Sequence, residues 1–335
     1  MIPYIYITLL SLMLFVLYQC GKSLRKDYRI FSAAGVVSML VYTLNEGLRF
    51  GRGIDYNVYW KLYEEVAKGW DIEKDYAFTL FSKVLITIGA PYQVEILIMS
   101  FVFILSTLFL LKNYKEIIPL ALPLFVFLSM RQVENMVRWY LGYSFILIGL
   151  SFLLSRAENK IIIYILFSIL AFFIHFGLAP VAAIFFLIYL RKTPFFPPYI
   201  TLLLFYGIYF FFDSRFMLNF IEYINVFTLM NSDISSYYVQ NAEYWLTGGF
   251  AGMGSLNTSI RLVELITLSV LVIIGYKPLE SMHNKNLVFS YNLFIIGLLL
   301  FPVSKHIELI IRYSQVFLFF EAIVLSYLIY GFYRI

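Results

Sequence analysis

Long apolar stretches, separated by short charged breaks, run through almost the whole chain. About 20 consecutive apolar residues cross a typical bilayer as a helix. With 61% hydrophobic and 13% charged residues, the chain also lacks the polar surface of a water-soluble protein. We therefore predict an all-α, polytopic transmembrane helical bundle of about eleven spans. The stretches are residues 2–20, 30–44, 93–111, 117–130, 138–154, 161–175, 177–190, 197–212, 259–275, 286–303 and 309–331.

Residues 76–90 are the ambiguous segment of this pattern. They are apolar on one side, but Ser82 and Lys83 interrupt them and Gly89-Ala90-Pro91 follows. We predict an interfacial or re-entrant segment here instead of a full span. Because no polar stretch is as long as a soluble domain, residues 1–335 are predicted to form a single integral membrane domain.

The basic residues predict the orientation of the chain. With the N-terminus outside, the inside pieces contain 13 of the 25 Lys and Arg residues but 4 of the 20 Asp and Glu residues. This bias follows the positive-inside rule, so we predict a multi-pass protein of a bacterial inner (cytoplasmic) membrane with its C-terminus inside. Two long external loops follow, at about 45–92 and 213–258. The inside pieces are residues 21–29, 112–116, 155–160, 191–196, 275–286 and 332–335.

Several classes of function lack a sequence signal. The net charge of +5 is dispersed over loops, so it sets topology and does not indicate a nucleic-acid partner. The one cysteine, Cys20, cannot form an intramolecular disulfide. We find no His/Cys cluster at metal-ligand spacing and no GxSxG elbow of a serine hydrolase, and we predict no metal and no cofactor. The glycines of residues 248–254 follow no predicted strand and do not end in Lys-Ser/Thr, which excludes a phosphate loop.

Ionisable residues collect on the predicted external side. Such groups are costly at membrane depth unless they pair, reach the interface or line a wet cavity, so they are candidates for function. A basic residue at a helix end often only reaches for the interface, and Arg131 and Glu134 at i,i+3 can form a plain ion pair. The candidates are Arg49, Arg52, Asp55, Arg131, Glu134, Arg138, His175, Arg261, Lys305, His306, Glu308 and Arg312.

The arginines of this set suit an anionic ligand. A guanidinium group binds phosphate in a bidentate manner, which favours Arg131, Arg138 and Arg312 as ligands. Several arginines that face one low-dielectric cavity repel each other unless an anion lies among them, and a diphosphate would meet that need. His175 is interpreted either as a hydrogen-bonded structural residue or as a catalytic or phosphate-contacting one.

Four short segments resemble the motifs of EpsG-like proteins. The run Leu48–Tyr59 is similar to their first-loop signature, a basic, glycine-containing run that ends in Asp-Tyr with a further Tyr nearby. Met130–Gln132 resembles their Arg-Gln motif, Ile174–Phe176 their later membrane histidine, and Ile311–Tyr313 the basic position in a late helix. The segments occur in order and cover residues 45–315.

This resemblance implies a function. EpsG-like proteins are similar to Wzy-type O-antigen and exopolysaccharide polymerases, which implies a GT-C-like glycosyltransferase. Such an enzyme joins undecaprenyl-diphosphate-linked oligosaccharide repeat units, as donor and acceptor, on the periplasmic side. A flippase and a chain-length regulator are then candidate partners, in addition to membrane lipid.

The resemblance and the chemistry together suggest roles for the candidates. Arg131, Arg138 and Arg312 are predicted to bind the diphosphate with help from Arg49 and Arg52, because preorganised cations stabilise charge on the leaving oxygen. Asp55 or His175 is predicted to activate the acceptor hydroxyl.

Two further residues are weaker candidates. The family often has Glu-Pro-Gly-Phe where this chain has Asp75-Tyr76-Ala77-Phe78. The acidic residue and the Phe are retained without the turn-forming Pro-Gly, so Asp75 is carried over only as a possible site residue. Lys305 is the other, since a lysine near a helix end serves equally well as an interfacial anchor.

Three alternatives remain. A flippase or transporter for lipid-linked oligosaccharide also needs a cationic cavity, but it usually has roughly twelve or more regular spans and a pseudo-repeat. An O-antigen ligase shares the topology and the large external loop, and the sequence does not separate it cleanly from a polymerase. A membrane acyltransferase is disfavoured because no His-Asp pairing surrounds His175.

Overall fold

The computed structural model describes the backbone of residues 2–70, 75–213, 258–282, 284–304 and 308–332. Side chains are described for the same residues except 2–5, 258–261, 280–282 and 308–309. These residues form helices and no strands, so the all-α class is confirmed for the described part of the chain. They divide into two compact units, Met1–Arg191 and Lys192–Ile335. The single membrane domain stays a prediction.

The first unit is built from helices of 12 to 25 residues. Short 3₁₀ helices at Lys112–Ile117 and Phe176–Leu178 link two pairs of them. The helices described are α1 (Ile2–Lys26), α2 (Ala33–Gly47), α3 (Tyr56–Ala67), α4 (Tyr76–Thr87), α5 (Tyr92–Leu111), α6 (Ile118–Asn135), α7 (Val137–Leu153), α8 (Lys160–Ile174) and α9 (Ala179–Leu190).

The second unit contains the remaining described helices. Asn292 is buried there and holds the segment before the first of them, accepting from the Phe195 N–H at 2.9 Å and donating to the Thr193 carbonyl at 3.0 Å. The helices are α10 (Pro198–Phe211), α11 (Thr258–Gly275), α12 (Lys277–Met282), α13 (Lys285–Ser304), α14 (Glu308–Leu318) and α15 (Glu321–Phe332).

Five helical regions among the described residues are long and apolar enough to cross a membrane. Several shorter apolar helices accompany them, including α4 and α7 to α10. The chain is therefore a membrane protein, while the number of about eleven spans stays a prediction. The five regions are Tyr6–Lys26, Tyr92–Asn135, Leu262–Leu279, Lys285–Ser304 and Ile310–Phe332.

The 44-residue region Tyr92–Asn135 consists of two helices. A straight helix of that length would measure about 66 Å, roughly twice the hydrocarbon thickness of a bilayer. The 3₁₀ turn at Lys112–Ile117 divides it, and Tyr114 leaves helical geometry there with φ −134° and ψ 39°. The charged break at 112–116 therefore marks a real boundary between α5 and α6.

Residues 309–331 contain a helix boundary, although they form one apolar stretch in the sequence. The structure divides them into α14 and α15 at a turn of Phe319 and Phe320. Both rings are buried, so tertiary packing sets this boundary and no helix-breaking residue marks it. The ambiguous segment 76–90 contains the 12-residue helix α4, which is too short to cross a bilayer.

The core of the first unit lies around α5 and α7. Tyr42, Phe103 and Tyr140 are fully buried at its centre, with ring centroids 5.9 Å and 6.0 Å apart. Gly142 and Gly149 lie against α8, so that a β-carbon at either position would come within 2.4 Å and 2.9 Å of a neighbouring side chain. Small residues let membrane helices pack closely, and they bring α7 and α8 together here.

Candidate functional site

Four charged side chains cluster in the first unit, at the end of α2 and the end of α6. Arg52 pairs with two carboxylates, at 2.8 Å from Glu46 and 2.6 Å from Glu134, and Arg49 lies 3.4 Å from Glu46. Arg49 also donates to the Glu134 carbonyl at 3.3 Å. The side chains of Glu46 and Arg49 are 0% and 1% exposed, whereas that of Arg52 is 26% exposed. We call these residues the four-charge cluster; its net charge is zero.

The loop after α2 is held in place by backbone contacts. Gln93 at the start of α5 donates to the carbonyls of Gly47 and Arg49, the latter at 3.0 Å. The Ile54 N–H donates to Asn135 Oδ1 at 2.6 Å. These hydrogen bonds tie both ends of the loop to α5 and α6, so the two arginines have a fixed direction of approach.

Arg52 remains a permanent cation in this setting. Burial lowers the pKa of its guanidinium, but the nearby carboxylates of Glu46 and Glu134 raise it by more, and the net change is upward. The guanidinium carbon also lies 5.0 Å from the centre of the Tyr6 ring, a favourable cation–π contact. Arg52 therefore presents a fixed, partly exposed positive charge.

The cluster bears on two expectations from the sequence. Arg49 and Arg52 lie beside carboxylates of the chain itself, those of Glu46 and Glu134, while the binding of a diphosphate stays a prediction. The spacing predicts Glu134 as a possible i,i+3 partner of Arg131, but Glu134 pairs instead with Arg52 of the loop after α2. Arg131 is exposed and forms no ion pair with a residue that the structure describes.

A second ion pair joins two further candidates. Arg138 Nη1 donates to Asp75 Oδ2 at 2.8 Å, and the side chains are 25% and 6% exposed. The guanidinium carbon lies 5.8 Å from the Tyr59 ring centre and 5.7 Å from that of Phe78. Asp75, which the motif suggests only as a possible site residue, thus pairs with Arg138, which is predicted to bind the diphosphate.

His175 lies at the break between α8 and α9. Its Nδ1 accepts the Gly177 N–H at 3.2 Å, and its ring meets the edge of Trp139 at 5.0 Å. A neutral imidazole that accepts at Nδ1 carries its proton on Nε2. In this state Nε2 carries the ring's N–H donor, and the hydrogen bond at Nδ1 stabilises the turn.

The remaining candidates are more scattered. Asp55 is half-buried at the start of α3, next to the residue that bonds Asn135. Arg312 is half-buried on α14 of the second unit. Lys305 lies outside the described residues, as does the glycine run 248–254.

A family model described as the EpsG family matches residues 32–335. This range covers most of the chain and every candidate named above. The chain belongs to the EpsG family. The family consists of Wzy-like exopolysaccharide and O-antigen polymerases, so the resemblance seen in the motifs is confirmed. No curated protein and no solved structure matches the chain.

Family membership indicates a polysaccharide polymerase-type enzyme that acts on lipid-linked oligosaccharide in a membrane.

The cavity next to Arg49 is small compared with a sugar. It lies between α5, α6 and α7 and has a volume of about 10 Å³, with Ser100 and Tyr140 in its wall. Since a single water needs about this much space, the cavity is too small to hold a sugar.

Glu95 is an ionisable residue of this EpsG-family chain that the sequence analysis did not single out. It lies in the first turn of α5, is 2% exposed, and accepts a hydrogen bond from Ser82 of α4 at 2.5 Å. Its position inside an apolar stretch was the available signal, because a buried carboxylate there is costly without a partner. The contact joins α4, which carries no charge other than Lys83, to the core.

The variant Gly53→Ala tests whether the loop after α2 must lie close to α6. The φ of Gly53 is +101°, and a β-carbon there would lie 2.9 Å from the Glu134 carbonyl oxygen. We expect Gly53→Ala to move the loop and lower stability by about 1–3 kcal/mol, because it adds backbone strain to a clash. The measurement is the thermal unfolding midpoint of the purified protein.

Gly51→Ala is the matched control for this change. Gly51 also has a positive φ, +66°, but open space where the β-carbon would be. It should incur the strain without the clash. Equal losses for both variants would show that the approach to Glu134 contributes nothing to stability.

Proposed function

We propose that this EpsG-family protein polymerises undecaprenyl-diphosphate-linked oligosaccharide repeat units on the outer face of a bacterial inner membrane. The growing glycan leaves its lipid diphosphate, and its anomeric carbon bonds to a sugar hydroxyl of the incoming unit. The released lipid diphosphate takes the bonding electrons, and the hydroxyl proton passes to a base. We further propose a GT-C-like arrangement, with the N-terminus outside and the C-terminus inside.

One observation carries this proposal. Arg131 precedes and Arg138 follows Glu134 in the sequence around the junction of α6 and α7, and Glu134 pairs with Arg52. Arg131 is exposed, and the other two arginines are about one-quarter exposed. Each therefore has donors that an arriving diphosphate can reach. Charge on the leaving oxygen is stabilised best by cations whose direction is already fixed.

Paired carboxylates set the direction of Arg52 and Arg138. Asp75 holds Arg138, and Glu134 holds Arg52, so neither guanidinium needs to reorganise when the substrate binds. Arg49 is nearly fully buried and supports the cluster from behind. We assign phosphate contact to Arg131, Arg138 and Arg52, and a supporting role to Arg49.

The acceptor hydroxyl requires a proton acceptor. We propose Asp55, which is half-buried at the start of α3, as this base. His175 in its present tautomer suits donation to a sugar or phosphate oxygen. A flippase that delivers the lipid-linked units and a regulator of chain length are the partners that this reaction needs.

The proposal is tested by complementation of a strain that lacks this protein. Arg131→Ala should leave single repeat units in place of long chains, with a loss of about 10² to 10³-fold, because one cation facing the developing charge is removed. Arg312→Ala is measured in the same assay, and the prediction that Arg312 binds diphosphate requires the same loss of long chains. The measurements are the glycan ladder and the amount of protein in the membrane.

Lys68→Ala is the control, since Lys68 is an exposed cation at the end of α3 and lies in neither ion pair of the site. It should give the normal ladder. Long unattached polymer in the deletion strain would instead indicate a ligase. Lipid-linked units trapped on the inner leaflet would indicate a flippase, and a normal ladder in Arg131→Ala at full protein level would contradict the site.

A further inference from the structure

A groove of about 630 Å³ opens at the opposite end of α5 from the four-charge cluster. Tyr28 and Phe109 contribute aromatic surface to it, and Arg29 and Lys112 contribute positive charge. Phe31 lines the same groove and is 74% exposed. The volume lies in the range of sites for small ligands, and it is far larger than the cavity next to Arg49.

The groove carries an excess of positive charge. Lys115 adds a third cation, because its Nζ lies 5.8 Å above the Tyr28 ring. Asp27 pairs with Arg29 at 2.5 Å, but the two side chains are 61% and 75% exposed. An ion pair so open to solvent is screened and readily exchanges, so the guanidinium remains available to another anion.

The position of the groove matches the depth of lipid headgroups. It lies where α1 ends at Lys26, α2 begins at Ala33 and α5 ends at Leu111. Tyr28 fixes the connecting segment by donating to the Leu108 carbonyl of α5. Helix ends of a membrane protein lie at the interface, where phosphodiester groups are concentrated.

We propose that this groove binds the headgroup of an anionic phospholipid. Arg29 and Lys112 pair with the phosphodiester, while Phe31 and Phe109 contact the glycerol and the start of the acyl chains. Basic pockets between transmembrane helices bind such headgroups through the same combination of charge and apolar surface. The site is separate from the proposed polymerase chemistry and holds whether or not that chemistry is correct.

The test uses the whole purified protein in a neutral detergent and titrates it with phosphatidylglycerol, counting bound lipids by native mass spectrometry. Arg29→Ala/Lys112→Ala should bind roughly 30-fold more weakly, as expected for two basic residues near a headgroup. Ala33→Trp keeps every charge but fills the groove, and it should also lose the lipid. Arg156→Ala/Lys160→Ala removes two basic residues that do not line the groove and should bind normally.

Each outcome decides the matter. If Ala33→Trp binds as well as the unchanged protein, attraction is only to general positive charge and the groove proposal fails. If all variants bind alike, it also fails. Inorganic phosphate at the same concentration as the lipid should displace no phosphatidylglycerol, because it lacks the apolar part; displacement at equal concentration would assign the groove to a free phosphate instead. Phosphatidylcholine should bind weakly, and equal binding would overturn the role of charge.

Discussion

Glu46→Ala is expected to lower the stability of the first unit by about 3–5 kcal/mol. The side chain is 0% exposed, and its carboxylate faces both Arg49 and Arg52. Removing it leaves two guanidinium groups with Glu134 as their remaining carboxylate, so a buried positive charge loses its compensation. Thermal unfolding of the purified protein measures the loss.

Two further variants separate charge balance from packing. Asp27→Ala removes an exposed carboxylate that also pairs with an arginine, and exposed pairs contribute about 0–1 kcal/mol. Glu46→Ala/Arg49→Met restores neutrality to the cluster, because Arg52 and Glu134 then remain as a single pair. We expect this double variant to recover part of the loss. Equal unfolding midpoints for Glu46→Ala and Asp27→Ala would contradict the neutral-cluster interpretation.

Arg138→Ala is expected to abolish long glycan chains, with a loss of about 10² to 10³-fold in polymer formation. The same change breaks the ion pair with Asp75, so a loss of activity alone could reflect a loss of structure. A charge exchange removes this ambiguity. Asp75→Arg/Arg138→Asp keeps an ion pair between the two positions and moves the cation to the other one.

The exchange should recover much of the stability that either single change loses, as an interacting pair does in a double-mutant cycle. It should not recover the glycan ladder, since the guanidinium then points from α4's start and not from α7. Full recovery of the ladder would show that the pair only supports the fold. The measurements are the unfolding midpoint and the ladder on the same preparations.

Much of the helix pattern could be predicted because the sequence marks it with charges and prolines. The stretches 161–175 and 286–303 agree with α8 and α13 to within a residue at each end. The turn at Phe319-Phe320 could not be predicted, because it consists of apolar residues that packing alone bends. Periodicity and composition do not contain that information.

The candidate site was predicted in part. Arg49, Arg52 and Arg138 stand out as cations beside apolar stretches, but their partners do not follow from spacing. Arg52 meets Glu134 across 82 positions of sequence, and Arg138 meets Asp75 across 63. Ion pairs between distant segments depend on the fold. Local sequence patterns therefore do not show that carboxylates of the chain neutralise these arginines, and they suggest a bound anion instead.

The zero net charge of the four-charge cluster restricts which substitutions are tolerated at its positions during evolution. A single change that removes one of these four charges leaves another charge without compensation, so such a change should rarely survive unless another follows. We therefore expect Glu46 and Glu134 to be replaced in relatives only together with Arg49 or Arg52. The cluster would then be inherited as one unit, whatever sugar each relative joins.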